Sequence, residues 1–403
     1  MSSRTVLFTN VPQEFRNESS IRDTFPSVRH VWTQPECKEL QELFDNRNKA
    51  AVKLEAAENK MCIAVTKKQK KAEKKGQTQD IPLIDSARGH VNVDQKDRPT
   101  HKLKFLIGKK VDTIDWSRKE IQSLNDKIGS AIEKTSKTDK VAALFVEFDS
   151  LHAAQAAARQ VSKDKALKMT PRVVGVVPYD VIWKNIGLPR SKTKSISIIA
   201  TVIITFMVIF WAIPVAFVGA ISNIQNLTAK VPFLSFINDI PSPILGVVTG
   251  LLPVVLLAVL MALVPIFCRF LAGLFMPTKS LVELKTQSWY FMFQVIQVFL
   301  VTTFTSSASA VAATIVQDPS QAPTLLASNL PKASNFYIAY FVLQGLNSAA
   351  MQWLNAAPLA FMLVLGKILD KTPRKVYNRY TSLIGIGWGS VYPVYTNLGV
   401  IGT

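Results

Sequence analysis

The sequence has few of the residue types that build metal centres, disulfide frameworks and catalytic sites. Its 403 residues include three cysteines without a CxxC pairing and four scattered histidines, which favours neither a disulfide framework nor a zinc site. The sequence contains no nucleophile–base pair, phosphate-binding glycine loop or metal cluster. The isolated residues Arg98, His101 and Asp115 are expected to be surface or capping residues. These absences argue against an enzyme and indicate neither a metal nor a cofactor.

Acidic residues are also scarce, and charge divides the chain into two halves. Lys and Arg total 47 against 28 Asp and Glu, which gives a net charge of +19. From Ile196 onward there are only 10 basic and 4 acidic residues, and residues 1–195 hold the other 37 and 24. No apolar leader follows Met1, so no cleavage is expected. The composition predicts a basic soluble domain over residues 1–192 and a membrane domain over residues 193–403.

The first half has the pattern of a small α+β unit. Apolar, β-branched runs predict strands at residues 5–10 and 141–148. Helices are predicted at residues 17–24 and 151–160, directly after or between those runs. Together these elements favour a ferredoxin-like or RRM-like domain that is split by an insertion over about residues 36–134.

The RRM-like pattern raises the question of RNA binding. RNA-binding domains of this kind stack bases on exposed aromatic side chains at set strand positions. Here those positions hold Leu7 and Ala143, and only Phe145 is aromatic. Because the stacking platform is missing, we expect a domain that shares the RRM-like fold but binds no nucleic acid.

The insertion is predicted to be helical. Apolar residues at three-and-four spacing run from Leu40 to Ala64, with an interruption at Arg47, and again from Ile114 to Ala131. Two helices with such seams most simply pair as an antiparallel arm. The basic run between them, KKQKKAEKKGQTQ, is expected to be solvated, and contact with the anionic inner leaflet is the alternative.

The second half contains five stretches without a charged residue, each long enough to cross a bilayer. Basic residues cluster before the first, between the second and third, and between the fourth and fifth, which places the soluble half in the cytoplasm. Arg269, just after the second span, is expected to reach the lipid headgroups. Asn226 begins a glycosylation sequon on the outer side, although its closeness to the membrane disfavours modification. The spans are 196–222, 244–268, 289–316, 335–366 and 380–403.

Polar side chains follow one face of the third span and one face of the fourth. Such stripes either join neighbouring helices through their amides or line a hydrophilic pathway. Gly345, inside the fourth span, permits a bend and is the hinge candidate. No span contains an acidic residue, so a carboxylate ring cannot supply cation selectivity here. The candidate pore-lining residues are Gln287, Gln294, Thr302, Thr305 and Ser309, and then Gln344, Ser348, Gln352 and Asn355.

Six stretches spread over the chain carry a family resemblance: RPTHKLKFLIGKKVDTIDWSRKEIQSLNDKI, VIWKNIGLP, SNI after the first span, LQGLNSAA, DKTPRK and WGSVYPVYTNLGVI. They resemble the OSCA family of osmosensitive, calcium-permeable cation channels, the fungal members in particular. The resemblance implies an anoctamin-related membrane fold with an RRM-like cytoplasmic domain. It also implies a homodimer with a separate pore in each subunit, opened by membrane tension, with the fourth span as the gating helix. Since the family has more membrane helices on both sides, the chain is expected to be a fragment.

The leading hypothesis is a mechanically or osmotically gated, calcium-permeable cation channel subunit that passes Ca²⁺, K⁺ and Na⁺. It is expected in the plasma membrane, with the vacuolar membrane as the alternative. Two other functions stay open. A phospholipid scramblase would use a polar groove that is open to the bilayer, and a non-conducting membrane scaffold would use its helical arm and basic loop to bind partners.

Overall fold

The computed structural model describes most of the chain, and it forms two compact units. The first unit comprises Met1–Thr33, Val141–Leu346 and Ile386–Thr403, and the second comprises Gln34–Lys140 and Asn347–Gly385. The described residues are 2–25, 27–76, 84–85, 90–91, 98–103, 109–135, 140–160, 169–221, 242–300, 320, 322–329, 331, 334–355, 359, 362–363, 366, 370, 372–381 and 387–402.

The described residues form the following strands and helices. Strands β1 to β8 are Thr5–Thr9, Val28–Pro35, Ile84–Asp85, His90–Val91, Thr100–Lys102, Lys110–Asp112, Lys140–Phe148 and Arg172–Val174. Helices α1 to α7 are Glu18–Thr24, Lys38–Lys74, Thr113–Thr135, Leu151–Arg159, Trp183–Ile186, Arg190–Phe210 and Ala212–Ile221. Helices α8 to α13 are Ser242–Ala272, Lys279–Phe293, Ala322–Asn329, Ser334–Leu354, Pro373–Thr381 and Trp388–Gly402. A π-helical segment, Gln294–Leu300, follows α9.

Four strands form one sheet in the order β2-β7-β1-β8. The central strand β1 is antiparallel to β7 and to β8, and Leu7 lies opposite both Phe145 and Val173. The strands predicted at residues 5–10 and 141–148 are observed as β1 and β7. Strands β2 and β8 were not predicted from the sequence.

Each face of this sheet packs against an apolar cluster. On one face Val6 and Phe8 pack with Ile21 of α1 and Ala154 of α4 in a single apolar core. On the other face Leu7 and Ala143, each fully buried, contact a second cluster formed by residues that follow β8. That second cluster includes Val176, Val181 and Ile186. The chain segment that leads to the first membrane helix therefore covers the part of this face that Leu7 and Ala143 form.

In the second unit α2 and α3 lie side by side and antiparallel. Arg47 Nε donates to Asn125 Oδ1 at 2.6 Å, and Arg118 Nη2 lies 3.0 Å from Glu58 Oε1. The start of α3 is capped by Asp112, whose Oδ1 accepts hydrogen bonds from two backbone N–H groups at 2.8 and 3.0 Å. The two interhelical contacts set the register of α2 against α3 between Arg118 and Asn125.

A small aromatic and basic cluster lies where the β5–β6 hairpin meets this helix pair. The Trp116 ring has His101 at 5.0 Å between centroids and Lys53 Nζ at 4.5 Å from its centroid. His101 Nδ1 is 3.1 Å from the Thr113 hydroxyl. Burial, and secondarily the charge of Lys53, lowers the pKa of His101 below its ordinary value of 6.5. The cluster therefore favours a neutral imidazole.

Two helical stretches in the described part of the chain are long and apolar enough to cross a membrane, Arg190–Val215 and Val255–Ala272. They correspond to the first two predicted spans. Their inner sides pack together through small and apolar residues that include Ala200, Ile204 and Cys268. Their outer sides expose large apolar side chains, as a bilayer requires. The other three predicted spans are described only in part.

Candidate functional site

The third span changes helix type partway along. Helix α9 runs directly into the π-helical segment Gln294–Leu300. Gln287 is half-buried in α9, and Gln294 is buried, with 2% of its surface exposed. Gln297 Nε2 donates a hydrogen bond to the Val208 carbonyl oxygen of α6 at 2.5 Å. Because π-helical turns occur frequently at functional sites, this amide-rich segment is a candidate site.

The fourth span contacts this segment near its own start and is interrupted near its end. The Tyr337 hydroxyl donates to the Phe299 carbonyl oxygen at 2.9 Å. Helix α11 continues through Gly345, where an added Cβ would meet nothing within 4 Å. The helix stops before Asn355, whose φ of 46° lies in the left-handed region that Asn tolerates better than most residues. The described break in this span is therefore at Asn355, a position the sequence pattern had assigned to the polar face.

The structure describes only some of the predicted pore-lining side chains. Gln344 is half-buried in α11, and Asn355 is half-buried at its end. Whether the two polar stripes face one another stays a prediction. The side chains of Ser348 and Gln352 lie outside the described residues, and so do Thr302, Thr305, Ser309 and the Asn226 sequon as a whole.

Arg269 does not extend to the lipid headgroups, so that prediction was wrong. Its Nε lies 2.6 Å from Glu283 Oε1, and its Nη2 donates to Glu283 Oε2 at 3.2 Å and to Ser390 Oγ at 2.9 Å. The Gly389 N–H donates to the same carboxylate at 3.0 Å. The Arg269 and Glu283 side chains are 29% and 19% exposed. Because a largely buried charge is stable only when it is paired, the guanidinium turns inward to the carboxylate.

These residues form what we call the three-helix cluster, defined as Arg269 of α8, Glu283 of α9, and Gly387, Gly389 and Ser390 at the start of α13. The two glycines let the chains approach closely. A Cβ at Gly389 would lie 2.5 Å from the Glu283 backbone oxygen, and one at Gly387 would overlap the Arg269 guanidinium. The cluster therefore joins the end of α8, the start of α9 and the start of α13.

The connection between α8 and α9 is also held by the segment that covers the sheet. Asn185, 7% exposed, donates through Nδ2 to the carbonyl oxygens of Gly273 and Met276, both at 2.8 Å. Asp180 accepts hydrogen bonds from the Ser280 N–H and hydroxyl, both at 3.0 Å. The segment that covers the sheet is thus hydrogen-bonded to the turn between α8 and α9.

In the second unit the stretch after the fourth span contains a further ion pair. Arg379 donates to both carboxylate oxygens of Asp370, at 2.5 and 2.8 Å. That hydrogen bonding holds the pKa of the Asp370 carboxyl below its ordinary value. Arg374 Nε lies 3.6 Å from Glu55 Oε1 of α2, so α12 is in electrostatic contact with the helix pair.

Sequence reasoning missed the residues that make these connections, although some signals were present. Glu283 is one of only four acidic residues after Ile196, and a carboxylate so rare in a membrane region favours a structural or functional role. Gly389 and Ser390 belong to the WGS triplet of a family motif, and the triplet itself does not indicate their contacts with α8 and α9. Asn185 had no comparable signal, because a single Asn in a connecting segment is common.

In a comparison with known proteins, each half of the chain matches a protein-family model. Residues 196–403 match the family model described as calcium-dependent channel, 7TM region, putative phosphate. Residues 3–185 match the model described as cytosolic domain of 10TM putative phosphate transporter. The second half is therefore a membrane region and the first half a cytosolic domain.

Individual relatives agree with these family models. The chain is 42% identical to the uncharacterized protein RSN1 of Saccharomyces cerevisiae, over 100% of this chain and 42% of the relative. It is 41% identical to phosphate metabolism protein 7 of the same yeast, over 98% of this chain and 40% of the relative. Hyperosmolality-gated Ca²⁺ permeable channel 1.3 of Arabidopsis thaliana is 28% identical, over 70% of this chain and 37% of the relative. The chain spans less than half the length of these relatives, and it belongs with them to the OSCA-like family of calcium-dependent channels.

Proposed function

We propose that the chain is part of a mechanically or osmotically gated, calcium-permeable cation channel. The observation that carries the proposal is the π-helical segment of the third span, with its buried Gln294, packed against Tyr337 of the fourth span. Amides inside a membrane helix must find polar partners or water. The printed name of the plant relative, a hyperosmolality-gated Ca²⁺ permeable channel, supports the same activity.

The cation pathway runs between the polar faces of the third and fourth spans. Its wall consists of Gln287, Gln294, Thr302, Thr305 and Ser309 on one side and Gln344, Ser348, Gln352 and Asn355 on the other. Amide and hydroxyl oxygens would replace part of the hydration shell of Ca²⁺, K⁺ or Na⁺. Gly345 acts as the hinge of the gating helix, and the left-handed Asn355 gives the helix a second point at which its end can rotate.

The cytosolic domain is an RRM-like α+β fold over residues 1–192 with an inserted helical arm, and it does not bind nucleic acid. The sheet order β2-β7-β1-β8, with α1 and α4 on one face, supports the fold. The burial of Leu7 and Ala143 beneath Val176 and Val181 supports the loss of RNA binding. The membrane domain, residues 193–403, forms a homodimer in the plasma membrane.

Gating uses the connection from the sheet to the α8–α9 turn. Asn185 and Asp180 hold that turn through four hydrogen bonds. The three-helix cluster then joins α8 and α9 to α13. A stimulus that shifts the cytosolic domain, or tension that separates the helices, changes the relative population of closed and open arrangements.

The experiment is a paired flux assay on the complete open reading frame that encodes the chain, purified and reconstituted in liposomes. Osmotic swelling is expected to let Ca²⁺ enter the liposomes and raise the fluorescence of an encapsulated Ca²⁺ indicator. A fluorescent lipid in the inner leaflet is expected to stay protected from an external quencher. Lipid transfer without cation flux would instead show that the protein is a phospholipid scramblase. Absence of both, with the protein correctly folded and inserted, would assign a scaffold.

A further inference from the structure

A cavity of about 460 Å³ lies at the point where the first membrane helix begins. Three elements of the first unit form its walls: the loops at the end of the sheet, the first two turns of α6, and the connection between α8 and α9. Its volume falls within the range of about 300–1,000 Å³ that is typical of ligand pockets. Neither the proposed pathway nor the three-helix cluster contributes to it.

The charged residues that line this cavity are all basic. Arg190 and Lys194 face it from α6, and the hydroxyl-bearing residues Thr193 and Ser197 lie on the same helix face. None of the described lining residues is Asp or Glu. Two cations beside hydroxyl groups, with no carboxylate to neutralise them, favour an anion with several acceptor oxygens. Phosphate has this chemistry, and Arg binds it with two parallel hydrogen bonds.

The cavity is also lined by apolar side chains, and it lies where the first membrane helix begins. The large apolar side chains in the lining are Leu188, Ile198, Phe275, Met276 and Leu281. Ile198 also begins the outward apolar surface of α6, with 55% of its area exposed, and Val202 continues it with 54% exposed. A ligand in this cavity would contact both cationic and apolar side chains. A free phosphate ion offers only the first of these interactions, whereas a lipid offers both.

We propose that this cavity binds the phosphorylated headgroup of an anionic lipid from the cytoplasmic leaflet. Arg190 and Lys194 bind the phosphate oxygens, and Ile198 and Met276 contact the glycerol and the first acyl carbons. Basic pockets on the cytoplasmic side of membrane helices suit such headgroups. The site is independent of whether the protein conducts ions, because it requires only the observed junction and its place at the start of the membrane region.

The test measures lipid binding directly. The full chain is purified in nanodiscs of phosphatidylcholine, and binding of a fluorescent short-chain phosphatidylinositol phosphate is followed by anisotropy. The double variant Arg190→Gln/Lys194→Gln is expected to weaken binding by at least about tenfold, because charge-assisted hydrogen bonds are lost. Lys192→Gln, which removes one charge from the same helix outside the cavity lining, is the control for each single variant, Arg190→Gln and Lys194→Gln, and should change affinity by less than about twofold.

A second variant distinguishes loss of the binding site from a folding defect. Ser197→Phe keeps both charges and fills the cavity, and it is expected to weaken binding by about tenfold while the melting temperature stays close to that of the parent. Unchanged affinity in both the double variant and Ser197→Phe would overturn the proposal. Displacement of the probe by an equal concentration of inorganic phosphate would also overturn the lipid assignment, because it would show that the cavity binds free phosphate. Cation flux need not be measured, so failure of the channel proposal would leave this result interpretable.

Discussion

The ion pair between Arg269 and Glu283 offers a quantitative test of how the membrane helices are held together. Glu283→Gln removes the negative charge and leaves one acceptor oxygen for the contacts from Arg269, at 2.6 and 3.2 Å, and from the Gly389 N–H. Hydrogen bonds to charged groups contribute about 1.5–3 kcal/mol each, but bonds of one network are not additive. The side chains retain 29% and 19% exposure, so water screens part of the interaction.

The expected coupling free energy of the pair is therefore about 2–3 kcal/mol, between the values for exposed and fully buried pairs. A double-mutant cycle of Arg269→Gln, Glu283→Gln and the double variant measures it. Unfolding is followed by tryptophan fluorescence in mixed micelles with increasing SDS. The exposed pair Arg22 and Glu18, with side chains 43% and 57% exposed, serves as the control cycle and should give less than about 0.5 kcal/mol.

A coupling energy for Arg269 and Glu283 no larger than that of the control pair would refute this reasoning. It would mean that the two side chains are solvated and move independently in the membrane-embedded protein. The three-helix cluster could then not fix α8 and α9 against α13. The single variants alone would not give this answer, because each also changes the hydration of the charge that is left behind.

Three further outcomes are expected. Gly389→Ala should lower the unfolding free energy by about 1–3 kcal/mol, because the added methyl group overpacks the contact with Glu283. Gly345→Ala, which has open space around it, should be neutral or stabilising by up to about 1 kcal/mol. Equal effects of the two variants on unfolding in micelles would contradict this packing. Asn185→Ala should speed amide hydrogen exchange in the α8–α9 turn by at least about tenfold, and unchanged exchange would show that its two hydrogen bonds do not hold the turn. Because the folded protein lowers the pKa of His101, the unfolded chain takes up its proton first as the pH falls below 6.5. The free energy of unfolding should therefore decrease there, and His101→Gln should remove that part of the pH dependence; an identical pH profile in this variant would contradict the assignment.

The elements that could be predicted from the sequence are those encoded by local patterns. The run TVLFT gave β1, and the apolar seams gave the positions of α2 and α3. The charge-free runs gave the first two spans. In each case neighbouring residues carry the signal, because burial of one face imposes a period of two or of 3.6 residues.

The features that could not be predicted depend on contacts between distant residues. Arg269 and Ser390 are 121 positions apart, and nothing near Arg269 in the sequence shows that a carboxylate and a hydroxyl lie within reach. The covered sheet face is similar, since Val176 and Val181 have no local feature that pairs them with Leu7. The break at Asn355 depends on one backbone dihedral that Asn adopts only in some contexts. The polar stripes could be read from the sequence, but the partner that each one faces could not.

The measurement that tests the channel proposal most directly is cysteine accessibility in tension-activated patches. Gln344→Cys places a thiol on the proposed pathway wall, and Leu346→Cys, a position 68% exposed on the other side of the same helix, is its matched control. The complete open reading frame is expressed in cells without mechanosensitive current, and a charged thiol reagent is applied while suction stretches the patch. The account predicts a tension-evoked cation current that the reagent reduces strongly in Gln344→Cys and leaves unchanged in Leu346→Cys. No current under tension, or equal modification at the two positions, would contradict it.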